Sequence, residues 1–235
     1  MTSSFSVPTG RCTAAIVVFI TASVVDAGLI VPFTETFTAN AANWYDSTGT
    51  LPVDWVNAGG PEGSAFSATS FNFVNLGEDD PVTLFRGQDE FLSSGGAFVG
   101  NWDSGGVTGF GASVRHDAGV PLNYFVRFAS PSNFPGANNV FFVPVASGEW
   151  TDLFAPLPNA QLIFEGPFTY SQVFGNIGHV QIGVSAPAAL AGVDAAIDFD
   201  LDNVTIVPEP GTAVLLALGA AALLRRRAGW RSSHS

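Results

Sequence analysis

The chain has 235 residues and a formal net charge of −12, with 8 basic residues, all arginine, against 20 carboxylates. That balance argues against a nucleic-acid binder, which needs basic surface to hold phosphates, and the single cysteine, Cys12, excludes a disulfide scaffold and a cysteine-based zinc site. The 26 Gly, 15 Pro and 21 Phe, with few charges, predict many short strands rather than helices.

Arg11 is the only charge in the first 25 residues, and residues 13–25 form an apolar run. Val25 and Ala27 then supply small residues at the −3 and −1 positions of a cleavage site. A basic flank, a short apolar run and a small-residue exit predict a secretory signal peptide over residues 1–27, read by the Sec export machinery. The body that follows, residues 28–206, has 179 residues, enough to bury a sizeable core. It carries 18 carboxylates against Arg86, Arg115 and Arg127, a net of −15, as expected of a solvated extracellular protein.

Strand signals recur along this body. Phe33, Glu35 and Phe37 alternate with polar residues, and residues 65–74 alternate so that Phe71 and Phe73 share a face. Residues 107–115 and 122–128 flank the turn 116–119 and predict a hairpin. Residues 140–145, 161–164, 179–184 and 196–206 continue the series. Long uninterrupted helical periodicity is absent. The fold class expected is all-β, a single antiparallel β-sandwich of jelly-roll type.

Candidate chemistry falls on a few positions. Asn101, Trp102 and Asp103 lie in a glycine-rich loop, where a flat ring and two hydrogen-bonding neighbours would make a sugar platform; Trp44, Trp55 and Trp150 are the other body tryptophans. A glycoside hydrolase needs two facing carboxylates. Glu90, Glu149 and Glu165 are available, with no short spacing to pair them. His116, between Arg115 and Asp117, reads as a turn residue rather than a base, and His179 as a strand residue. Glu78, Asp79 and Asp80 read as a solvated loop without the spacing of a calcium hand. The sequon at Asn203 carries little weight at a strand end.

In the last strand Ile197, Phe199 and Leu201 alternate with Asp198, Asp200 and Asp202. The parity then breaks at Val204 and Ile206, which predicts a bulge at Asp202 and Asn203. The segment FDLDNVTI resembles the closing strand of galactose-binding-like and carbohydrate-binding jelly rolls. The resemblance implies a structural calcium ion clipping the first strand to the last, with Glu35 and Asp202 as ligands and backbone carbonyls completing the shell. Taken by themselves, the residues read as a solvent-facing row of aspartates.

Beyond the body stand Val207, Pro208, Glu209 and Pro210, an apolar run over residues 212–224, and Arg225, Arg226 and Arg227. Thirteen helical residues span about 20 Å, short of a roughly 30 Å hydrocarbon core. The arginines would stop transfer and keep a short tail, residues 228–235, in the cytoplasm. This order resembles the PEP-CTERM sorting signal, over residues 207–227. The resemblance implies processing near the PEP motif by an exosortase, with the inner membrane as a transient anchor before release to the cell surface or extracellular matrix. The body is then expected to be non-catalytic, with extracellular polysaccharide as its candidate partner. The alternatives are a secreted hydrolase acting on polysaccharide and a purely structural matrix protein.

Overall fold

The computed structural model describes residues 28–208. The expected signal peptide, Glu209, Pro210, the apolar run, Arg225 to Arg227 and the expected tail lie outside the described residues.

Eleven strands form two antiparallel sheets. The first sheet contains β1 (Phe33–Glu35), β2 (Asp54–Val56), β3 (Phe66–Asn72), β5 (Val107–His116), β8 (Thr151–Pro156) and β11 (Ala196–Pro208). Its order is β2-β3-β11-β5-β8, with β1 also paired to β11. The second contains β4 (Pro81–Gln88), β6 (Tyr124–Ala129), β7 (Gly136–Val140), β9 (Leu162–Phe164) and β10 (His179–Ser185), in the order β4-β10-β6-β7-β9. Without the short strands β1, β2 and β9, the orders read 3-11-5-8 and 4-10-6-7. The chain crosses between sheets at nearly every connection, and the last strand lies beside the first; this is a jelly roll. Among the described residues the one α-helix, α1 (Tyr170–Phe174), starts with a capping box between Thr169 and Gln172.

The two sheets enclose an aromatic core. Phe73, Phe110, Phe128, Phe174 and Phe199 are buried with Trp44 and Trp102. Phe128 contacts Trp102 and Phe110 edge-on at 5.2 and 5.3 Å, a preferred aromatic geometry. Alternation decides which side chains enter this core: Val180, Ile182 and Val184 of β10 point inward, as do Val126 and Phe128 of β6.

Three expectations change. The segments over 107–115 and 122–128 are not a hairpin: β5 pairs with β11 and β8, whereas β6 pairs with β10 and β7 in the other sheet. The intervening turn therefore carries the chain from one sheet to the other. The strand placed at 140–145 forms earlier, as β7. The body does not end at Ile206, because Val207 and Pro208 extend β11 opposite Gly109 and Val107. The bulge is where parity places it: the β11–β5 register shifts between Asp202 and Thr205, and Asn203 has φ 49°.

Both ends of the described chain leave from one end of the sandwich, since Phe33 faces Ile206 and β11 runs out at Pro208. At the opposite end Asp79 bonds to Ala186, Asp117 to Asp198 and Asn72 to Asp194. Glu78, Asp79 and Asp80 form an exposed acidic loop there.

Candidate functional site

Outward positions on the second sheet fall into two rungs. Register places Arg86, Gln181, Arg127, Asn138 and Ile163 side by side across β4, β10, β6, β7 and β9. The next rung holds Gln88, His179 and Ala129. Arg127 makes a two-pronged ion pair with Glu165, Nε to Oε1 at 2.5 Å and Nη2 to Oε2 at 2.7 Å, and Nη1 donates to Gln181 Oε1 at 3.1 Å. Asn138 Nδ2 donates to the same Glu165 carboxylate at 3.0 Å. His179 Nε2 lies 2.9 Å from Glu90 Oε2, and Arg86 donates to the Ser47 carbonyl through Nε and Nη2 at 3.1 and 2.9 Å.

The electrostatics follow from these partners. The Arg127 bond holds the Glu165 carboxyl below the usual carboxylate range. Burial holds His179 below the usual histidine range, against the opposing pull of Glu90. Aromatic pairs flank the face. Tyr45, whose backbone pairs with Arg86, stacks on Phe91 with ring centroids 3.8 Å apart, and Phe134 meets Phe168 edge-on at 5.0 Å. Of these groups Gln88, His179 and Gln181 are buried, while Arg86, Arg127 and Asn138 are half-buried between aromatic side chains.

The loop platform is not there. Trp102 is buried: its indole Nε1 donates to the Phe98 carbonyl at 2.7 Å and its ring packs on Phe128 and Phe174. The glycine-rich loop wraps around this inward-turned ring. Asn101 and Asp103 stay exposed but are engaged locally, Asn101 with the Ser104 N–H and Asp103 with Ser171 Oγ. Trp44 is also core, Trp55 is partly exposed and bonds to the Phe37 carbonyl, and Trp150 stacks against the Arg115 guanidinium at 4.8 Å.

Glu35 and Asp202 do come together. Glu35 pairs with Val204 in register, and its charge is among the causes that raise the Asp202 carboxyl above its usual range, behind burial. Asp202 is buried, which corrects the picture of a solvent-facing aspartate row at that position. Its oxygens accept from Ser64 Oγ and the Asn203 N–H, both at 2.7 Å, and Glu35 Oε1 accepts from the Phe37 N–H at 2.9 Å. Among the described residues no group of three or more His, Cys, Asp or Glu side chains could hold a metal. The pair fits a hard cation only with main-chain carbonyls completing the shell.

Glu90 and Glu165 share the outer face of the second sheet, whereas Glu149 is exposed near the turn after Val145. His116 is buried, its Nε2 3.1 Å from the Val145 carbonyl. The network of Arg86, Gln88, Arg127, Asn138 and Gln181 has no local motif, because four strands far apart in sequence contribute to it. One signal was present: two of the body's three arginines sit in the strand segments PVTLFRGQ and YFVRFA.

Residues 207–228 match the PEP-CTERM protein-sorting motif. No curated protein matches the chain. Among solved structures it is similar to the CBM22-1–GH10 modules of Clostridium thermocellum endo-1,4-β-D-xylanase 10B complexed with xylohexaose, at 14% identity and TM-score 0.47, over 75% of this chain and 28% of that one. It is similar to an exo-β-agarase at 9% identity and TM-score 0.49, over 77% and 26%. A family 11 carbohydrate-binding module of the Clostridium thermocellum cellulase Lic26A-Cel5E gives 10% identity and TM-score 0.44, over 77% and 96%. The chain thus spans about a quarter of the length of the first two. Among the described residues no helix is long and apolar enough to cross a membrane.

Proposed function

We propose that this protein is exported through the Sec machinery, held briefly in the inner membrane, and sorted by an exosortase to the cell surface or extracellular matrix, where it binds carbohydrate without catalysis. The sorting motif at residues 207–228 carries the first half of this reading. The outer face of the second sheet carries the second. Sugar hydroxyls both donate and accept, and they suit a face where half-buried Asn138 and Arg127 stand in adjacent register with the buried amides of Gln181 and Gln88. Flanking rings such as Tyr45 and Phe134 can pack against sugar C–H faces.

A non-catalytic role is supported by the state of Glu165 on the polar face: a glycoside hydrolase needs one carboxyl that keeps its proton near neutral pH, whereas Arg127 holds Glu165 ionised. A calcium ion bound by Glu35 and Asp202 would be structural, offsetting the repulsion between two carboxylates at the junction of β1 and β11.

The test is a glycan array of the full-length protein beside Gln181→Ala. Binding to a defined glycan, weakened at least tenfold in the variant with an unchanged melting temperature, supports the reading. No binding to any glycan would leave a structural matrix role. Release of reducing ends that disappears in Glu90→Gln would replace the non-catalytic assignment with a hydrolase.

A further inference from the structure

The loop joining β6 to β7, residues 130–135, folds back onto the polar face. Asn133, at φ 64°, places its side-chain oxygen 2.7 Å from Arg127 Nη1, 3.1 Å from His179 Nδ1 and 3.5 Å from Gln181 Nε2. Its backbone carbonyl accepts from Arg127 Nη2 at 2.7 Å. The loop is pressed close: a Cβ added at Gly178 would meet Pro131 Cα at 2.5 Å, so only glycine fits beneath it. Side chains from two neighbouring strands therefore converge on one carboxamide oxygen, which belongs to an exposed loop residue. Arg127 does not depend on this contact for its position, because Glu165 already grips it with two bonds.

We propose that Asn133 is an internal stand-in for a ligand's amide carbonyl, and that the site takes an N-acetylated sugar whose acetamido oxygen replaces Asn133 Oδ1 when the loop lifts. This rests on the carbohydrate-binding reading and gives it a substrate class. Charge balance favours a neutral ligand group. Arg127 is matched by Glu165, and the carboxylates of Glu90 and Asp46 act on Arg86, whose own hydrogen bonds go to the Ser47 carbonyl. The carboxylate of an acidic sugar would add negative charge beside Glu165 and Glu90. The chemistry of the cradle favours a carbonyl. Arg127 Nη1 and Gln181 Nε2 are donors at any pH, whereas His179 Nδ1, 3.3 Å from Gln88 Nε2, is an acceptor in the neutral ring and adds nothing to the donor set there. A carbonyl oxygen has two lone pairs and no hydrogen of its own to place, unlike a hydroxyl.

The test is calorimetric titration of the full-length protein with the trisaccharide of N-acetylglucosamine and with cellotriose, which carries a hydroxyl where the former carries an acetamido group. Asn133→Gly keeps the left-handed backbone and removes the stand-in. It is expected to bind the acetylated trisaccharide at least tenfold more tightly than the parent, with little change for cellotriose. Asn133→Asp, whose carboxylate grips Arg127 harder, is expected to bind it more weakly than the parent. Equal or weaker binding of the acetylated sugar by Asn133→Gly overturns the proposal, as does an equal gain for both trisaccharides. In either case, a glycan bound elsewhere on the array leaves the carbohydrate reading standing; no glycan bound by parent or variant removes both.

Discussion

His116 closes β5 with its ring against Tyr124 and Phe199, and its Nδ1 has no hydrogen-bond partner among the described residues. Nε2 serves the Val145 carbonyl, so the ring is satisfied only as the neutral tautomer protonated there. Burial accordingly holds its pKa below the usual histidine value. A base with a depressed folded pKa contributes stability that is fully present above the unfolded value of about 6.5 and is lost as pH falls through the folded one. Urea melts from pH 7.5 to 4.5 should therefore show stability declining below about pH 6.5. His116→Gln, which cannot titrate, should reduce that slope by up to about 1.4 kcal/mol per pH unit. Identical slopes would mean that His116 charges as freely in the fold as outside it. Trp102 teaches a related point. Its neighbours Asn101 and Asp103 are polar and its loop is rich in glycine, yet the ring is large enough that burial decides its place.

β11 shows which elements the sequence could reveal. Its alternation and its parity break were legible, because one face is buried and a one-residue slip exchanges faces. β4 was not foreseen: its segment opens on proline, and Leu84 and Phe85 are both buried despite being adjacent, which erases the period. β8 is short and ends on proline, and β7 reads GANNV, with little apolar surface to announce it, so the more apolar residues downstream drew the prediction late. The polar face escaped for a different reason, since its rungs exist only once register is set between strands. At the β1–β11 junction, Asp202 has a folded pKa raised mainly by burial. Its ionised form is thus disfavoured in the fold, and without a cation stability should rise as pH falls through that raised value toward about 3.9. Calcium at neutral pH should raise the melting temperature by several degrees, EDTA should reverse this, and Asp202→Asn should abolish it. A melting temperature indifferent to calcium would leave Glu35 and Asp202 as a hydrogen-bonded pair only.

The sandwich is polar along the strand direction: both ends of the described chain leave one pole, and the loop of Glu78, Asp79 and Asp80, with Asp117, Asp194 and Asp198, occupies the other. The first residues of the sorting motif are part of the fold. Val207 lies over Gly109 beside Phe154, so closely that a Cβ at Gly109 would meet Phe154 at 2.5 Å and Val207 at 2.8 Å. A chain ending at Ile206 should accordingly be less stable than one ending at Pro208 by about 1 to 2 kcal/mol in urea, the scale of one or two lost backbone bonds and their packing; equal stability would reduce Val207 and Pro208 to a passive spacer. That continuity has a mechanical consequence. Tension applied at the C-terminal end enters β11 along its own axis, and β11 is flanked by β5 on one side and by β3 and β1 on the other. A strand pulled lengthwise between two partners loads its hydrogen bonds in shear, so they must yield together rather than unzip one by one. The motif is thus joined to the part of the sandwich best able to resist drag.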